Sequence, residues 1–178
     1  MSKINPHLVV NFNYTSTHTI YGIEDSKVKY IHGKVGSDTN NIVMGMNIYD
    51  LDYDKRFVYF MKFFQRMQKR TDILLRKDFD MNYMEKASDG SEYFNYKPGY
   101  NDSDVFFYGH SMSNADGDII ELLRNNDKFK FTIFYYDQLD YEGKVINLLN
   151  IFKKDKTIEM IHNREIKFLP VSDIAIKG

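Results

Sequence analysis

The chain contains no cysteine and no tryptophan. The missing cysteine excludes disulfides, a thiolate nucleophile and any cysteine-ligated zinc or iron–sulfur site, and it fits a cytoplasmic protein. No H-x-x-x-H pair or carboxylate cluster stands out either, and His7, His18 and His162 have no partner at ligand spacing, so no metal is expected. No apolar run approaches the ~20 residues a membrane span needs. The opening MSKINPHL has no signal-peptide core, so no membrane partner is expected. A formal net charge of −1 leaves no global basic field, and nucleic acid is not an expected partner. Also absent is any G-x-G; the nearest pair, Gly33 and Gly36, is spaced too widely for a phosphate-cradling turn.

What is present suits a globular α/β domain. Hydrophobic residues make up 43% of 178, with 14 Tyr and 14 Phe, enough to bury one core over residues 1–178. The apolar run Leu8-Val9-Val10 suits a buried strand, placed at about residues 7–12. The hydroxyls of Thr15, Ser16 or Thr17 are suited to cap a short helix over 16–21, with Gly22 at its end. A second strand is expected over 27–32, ending in His32-Gly33, and a third over 41–46.

The pattern then changes. A helix is expected over 55–75, with Phe57, Phe60, Met61, Phe64 and Met67 inward and a basic solvated face opposite. Residues 76–103 read as a long irregular excursion, helical in part at its start. A fourth strand, 104–108, reads as central and leads into Gly109-His110-Ser111. A helix over 117–125 follows, with Asp116 as a capping group. A fifth strand, 130–136, alternates enough to leave one face less buried. A helix over 140–152 turns Val145, Ile146, Leu148, Leu149 and Phe152 inward. Strands are expected over 157–161 and, at an edge, 166–169.

Strands alternating with helices predict a mostly parallel open sheet with helices on both faces. Ligands of such sheets lie beyond the strand carboxyl ends. Those ends present Asn11 and Asn13, then His32-Gly33, then Gly109-His110-Ser111, three polar tips placed to converge. Ordinary turn chemistry also accounts for Asn, Thr and Gly at such positions, and backbone bonding accounts for His110.

Asn11-Phe12-Asn13-Tyr14-Thr15, Ile31-His32-Gly33, Ile42-Val43-Met44-Gly45 and Gly109-His110-Ser111-Met112 with Asp116 resemble the AbiH abortive-infection family of bacteria. The resemblance spans about residues 8–135, and the order of the motifs is more specific than any one of them. It implies a sirtuin-like, Rossmann-type fold in anti-phage defence, with NAD as substrate. It further implies that Asn13 faces the nicotinamide ribose and that His32 is a general base or orients the ribose hydroxyls. Gly109 and Ser111 then approach phosphate and ribose, with Asn11, Thr15, Gly33 and His110 among the nucleotide contacts.

Two departures stand beside it. Thr15 occupies the position where many sirtuin-like NADases carry Asp. The N-terminal glycine-rich βα unit of the GNGFD kind is missing, so the chain resembles the C-terminal half of the family's domain. The expectation is an NAD+ glycohydrolase completed by a partner chain or a second copy, or a truncated product. The alternatives are a catalytically inactive nucleotide-binding or regulatory subunit, and an interaction protein using residues 76–103 and an open sheet edge.

Overall fold

The computed structural model describes residues 6–37, 41–45, 55–71, 83–86, 88–89, 91–95, 104–124 and 129–173. They fall into two compact units, one drawn from 6–44 and 55–101, the other mainly from 102–178. Both are built from short strands and helices, so the chain is α/β, and the pairs β1–β2, β5–β6 and β6–β7 are parallel.

The first unit opens with β1 (Val9–Asn11) and β2 (Val28–Tyr30), paired in register Val9↔Val28 to Asn11↔Tyr30. A parallel pair needs a crossover of a dozen or more residues. Here it contains two 3-10 turns, Thr17–Tyr21 and Asp25–Lys27. Gly22 ends the first with φ 65°, and its N–H bonds the His18 and Thr19 carbonyls, as expected of a left-handed cap. Ser16 sits at the N-cap position but makes no side-chain capping bond, contrary to the expected role of the hydroxyls.

Three other expectations for this unit are corrected. Residues 41–45 form no strand; Val43 is buried and its N–H bonds the His32 carbonyl at 2.9 Å. The segment thus prolongs the tip of β2 without a ladder. The helix expected over 55–75 is a 3-10 turn, Lys55–Phe60, followed by α1, Lys62–Lys69; residues 72–75 lie outside the described residues. Its facing is mixed, with Arg56, Lys69 and Arg70 exposed as expected and Phe64 half-buried. Met61 is buried, but Phe57, Phe60 and Met67 are exposed, and Arg66 is among the most buried side chains. Within 76–103 the described residues form an antiparallel hairpin, β3 (Tyr83–Lys86) and β4 (Glu92–Asn95). Residues 88–89 lie in a turn between these strands.

The second unit is a three-stranded parallel sheet, β5 (Asp104–Phe107), β6 (Lys130–Tyr135) and β7 (Ile166–Pro170), in the order β5-β6-β7. The crossovers are α2 (Gly117–Arg124) and the pair α3 (Gln138–Phe152) and α4 (Lys154–His162). The aromatic strand 104–107 is therefore an edge strand among the described residues, and β6 is central. Phe131, Thr132, Ile133 and Phe134 are buried in succession, so both faces of β6 are covered rather than one. Residues 157–161 are helical, not a strand. Thr157 and Met160 are the buried pair, one helical turn apart, and Thr157 Oγ1 donates to the Lys153 carbonyl at 2.9 Å. In α3, Leu148 and Phe152 are buried as expected, whereas Ile146 is exposed.

Candidate functional site

In the first unit the loop leaving β1 is organised by Asn11. Its side-chain oxygen accepts from the Asn13 N–H at 2.9 Å, and its amide donates to the Thr15 carbonyl at 3.1 Å. This Asx turn closes residues 11–15 and leaves Asn13 and Thr15 exposed at the tip. Asn11 itself is buried and continues the ladder by accepting from Ile31 N–H at 3.2 Å.

His32 follows β2 and is buried. Its ring lies 5.6 Å from Phe12, nearly edge-on, and 6.2 Å from Tyr14, so the Asn11–Thr15 loop and His32 come together. Lys62 Nζ of α1 is 3.5 Å from His32 Nε2. In a hydrogen bond between them the ammonium donates and the imidazole nitrogen accepts. The Tyr14 hydroxyl donates to the Val43 carbonyl at 2.8 Å, tying loop, imidazole and segment 41–45 into one cluster. Gly33 has φ 82°, and a Cβ there would lie 2.4 Å from the Asn41 carbonyl oxygen. Glycine is required at that position by the close approach of residue 41.

Lys62 was read as part of the solvated basic face of this helix; it is half-buried and reaches the His32 ring. A second set was missed entirely. His18 is buried, and its Nε2 lies 2.5 Å from Asp25 Oδ1. Its Nδ1 lies 3.1 Å from the Tyr30 hydroxyl, which is 3.3 Å from Ser16 Oγ. No spacing rule links residues 16, 18, 25 and 30; the parallel crossover between β1 and β2 assembles them.

In the second unit, Gly109, His110 and Ser111 follow β5. Gly109 has φ 65°, and the space a Cβ would enter is open apart from the Tyr136 hydroxyl at 3.8 Å. His110 Nδ1 accepts from Met112 N–H at 3.0 Å, which leaves its proton on Nε2, 3.4 Å from Asp116 Oδ2. Asp116 is thus paired with His110, and the capping bond is made by Ser113, whose hydroxyl accepts from Ala115 N–H at 3.2 Å. The Ser111 carbonyl accepts from the Asn147 amide at 2.9 Å, while the Ser111 side chain is exposed. Beneath the tip of β6, buried Lys144 donates to the Phe134 carbonyl at 2.8 Å and to Asp140 Oδ2 at 2.6 Å. Burial pushes the Asp140 carboxyl up, but the hydrogen bonds from Lys144 and Tyr136 N–H, with the lysine's charge, outweigh it and hold the group below its ordinary value.

Among the described residues no group of three or more His, Cys, Asp or Glu is placed to hold a metal ion, and no helix is long and apolar enough to cross a membrane. The family model for bacteriophage abortive infection AbiH matches residues 1–137. The chain belongs to the AbiH family. Membership gives this AbiH chain a role in bacteriophage abortive infection, and the matched span takes in every candidate residue of both units. Neither a curated protein nor a solved structure matches it significantly.

Proposed function

We propose that this AbiH domain hydrolyses NAD+ to nicotinamide and ADP-ribose during abortive infection, and that a partner chain or a second copy completes it. The observation that carries the reading is the cluster at the carboxyl ends of β1 and β2. A buried imidazole beside Lys62 packs against a loop that presents exposed Asn13 and Thr15. Such ends are where ligands of parallel sheets bind. Cleavage of the bond to nicotinamide passes through an oxocarbenium-like ribose, which needs fixed polar groups more than a strong nucleophile. Asn13 is suited to hold the ribose and His32 to take a proton.

A second reading, an inactive nucleotide-binding or regulatory subunit, is favoured by Thr15 in place of a carboxylate. It is also favoured by His110, whose ring is committed to Met112 and Asp116. The test is nicotinamide release by the full chain, alone and with the products of neighbouring genes. The expected outcome is turnover that falls at least about 100-fold in His32→Ala. A folded complex that releases no nicotinamide in any combination overturns the enzyme reading; NAD+ binding by that complex would then identify the regulatory one.

A further inference from the structure

Helix α1 turns cations toward the tip of β2. Its sequence, KFFQRMQK, carries no acidic residue. Lys62, Arg66 and Lys69 recur at four- and three-residue steps and so share one side of the helix. Lys69 donates to the Ile42 carbonyl, and Gln65 accepts from Met44 N–H at 3.0 Å. These two bonds fasten α1 to the segment that follows His32-Gly33. Lys62 instead reaches the candidate site: it is half-buried, with Nζ 3.5 Å from His32 Nε2. A half-buried ammonium loses part of its hydration, and a neutral ring nitrogen is a weaker acceptor for it than an anion. Partial burial also strengthens its attraction to an anion, because less water screens the pair.

A dinucleotide brings two negative phosphates to any site that holds its ribose. No G-x-G occurs in the chain, so no turn of that kind meets them with backbone N–H groups. We infer that Lys62 binds a phosphate of the nucleotide and makes the site selective for phosphate-bearing substrates. The inference rests on the NAD+-hydrolysing reading and adds a contact to that same site. In NAD+ the phosphate on the nicotinamide side is joined through C5′ to the ribose assigned to Asn13 and His32, so a cation beside His32 is within reach of it. An ammonium has three protons and can bond a phosphate oxygen while it stays beside the ring. Lysine binds phosphate as a point charge, which asks for nearness rather than a fixed fork geometry.

The test uses Lys62→Met, which keeps the apolar stem without the charge, and Lys62→Arg, which keeps the charge; Lys62→Gln replaces the first if methionine impairs folding. Calorimetry with ADP-ribose on the full chain and its neighbouring gene products should show affinity falling about 10-fold in Lys62→Met and mostly kept in Lys62→Arg. Nicotinamide release is then compared between NAD+ and nicotinamide riboside, which has the same ribose and no phosphate. The ratio of kcat/KM for the two should fall about 10-fold in Lys62→Met, through KM for NAD+, whereas His32→Ala should lower both alike. Equal falls for the two substrates in Lys62→Met overturn the inference, because the lysine then acts on His32. Unchanged ADP-ribose affinity overturns it as well. A wild-type complex that binds ADP-ribose through Lys62 but releases no nicotinamide sinks the enzyme reading and leaves the phosphate contact standing. One that neither binds nor turns over overturns both.

Discussion

Gly33 and Gly36 show how two glycines with the same backbone differ in what they hold. Both have positive φ, 82° and 81°, but a Cβ at Gly33 meets the Asn41 carbonyl whereas one at Gly36 meets nothing within 4 Å. Left-handed backbone costs a non-glycine residue about 1–2 kcal/mol, and Gly36→Ala should lose about that much. Gly33→Ala must also displace backbone next to His32 and should lose more than about 3 kcal/mol. Urea unfolding midpoints of the pair measure the difference, and equal losses would dismiss the packing account. Asp140 gives a residue-scale expectation in pH. Its carboxyl is held below its ordinary value in the folded chain, so its contribution is present above the unfolded value of about 3.9 and disappears as pH falls through the folded one. The stability gap between wild type and Asp140→Asn should therefore be constant near neutrality and close below about pH 4. A gap that widens in acid would reverse the assignment.

At the scale of elements, the join between α3 and α4 is strained. Lys153 has φ 64° and ψ 158°, a region used essentially by glycine alone, and non-glycine residues there cost about 1–3 kcal/mol. Lys153→Gly should therefore raise Tm, by an amount equivalent to about 1 kcal/mol, even though glycine usually weakens helices. A lowered Tm in a thermal melt would show that the lysine side chain matters more than its backbone. The same join explains an element that sequence reading missed. The run T-I-E-M-I offers β-branched residues and an alternation that suit a strand, while its helical signal is only Thr157 and Met160, one turn apart. With nine residues in α4 and a break just before it, too few turns repeat for the period to register. Helix α1 misled in the opposite sense. The three- and four-residue spacing of Phe57, Phe60, Met61, Phe64 and Met67 correctly signalled helix over 62–69, but periodicity names a stripe, not which side it faces. Only packing shows that Arg66 lies inside.

At the scale of the molecule, the parallel α/β character was legible because apolar runs ended in polar tips at wide intervals. Adjacent parallel strands also bring their carboxyl ends together, which sets Phe12 and Tyr14 beside His32. The cluster of Ser16, His18, Asp25 and Tyr30 was not legible, because its four residues meet only through the course of the crossover between β1 and β2. The rank of the strands was misjudged for a related reason. Val105-Phe106-Phe107 and Phe131–Phe134 are similarly apolar, and topology alone makes the first an edge and the second the centre among the described residues.

That central placement also orders events during synthesis. β5 pairs with β6 across 26 residues (Asp104 to Lys130), and β6 with β7 across 35 (Phe131 to Ile166). Closing loops of such similar length costs nearly the same entropy, so neither pairing is much favoured by proximity. Emergence from the ribosome supplies the order instead: β6 has β5 to dock on at once and waits for β7 until the chain has grown to Pro170. During that interval the sequence FTIFY, apolar and free of proline and charge, has one unpaired backbone edge, the kind of surface that recruits other nascent chains.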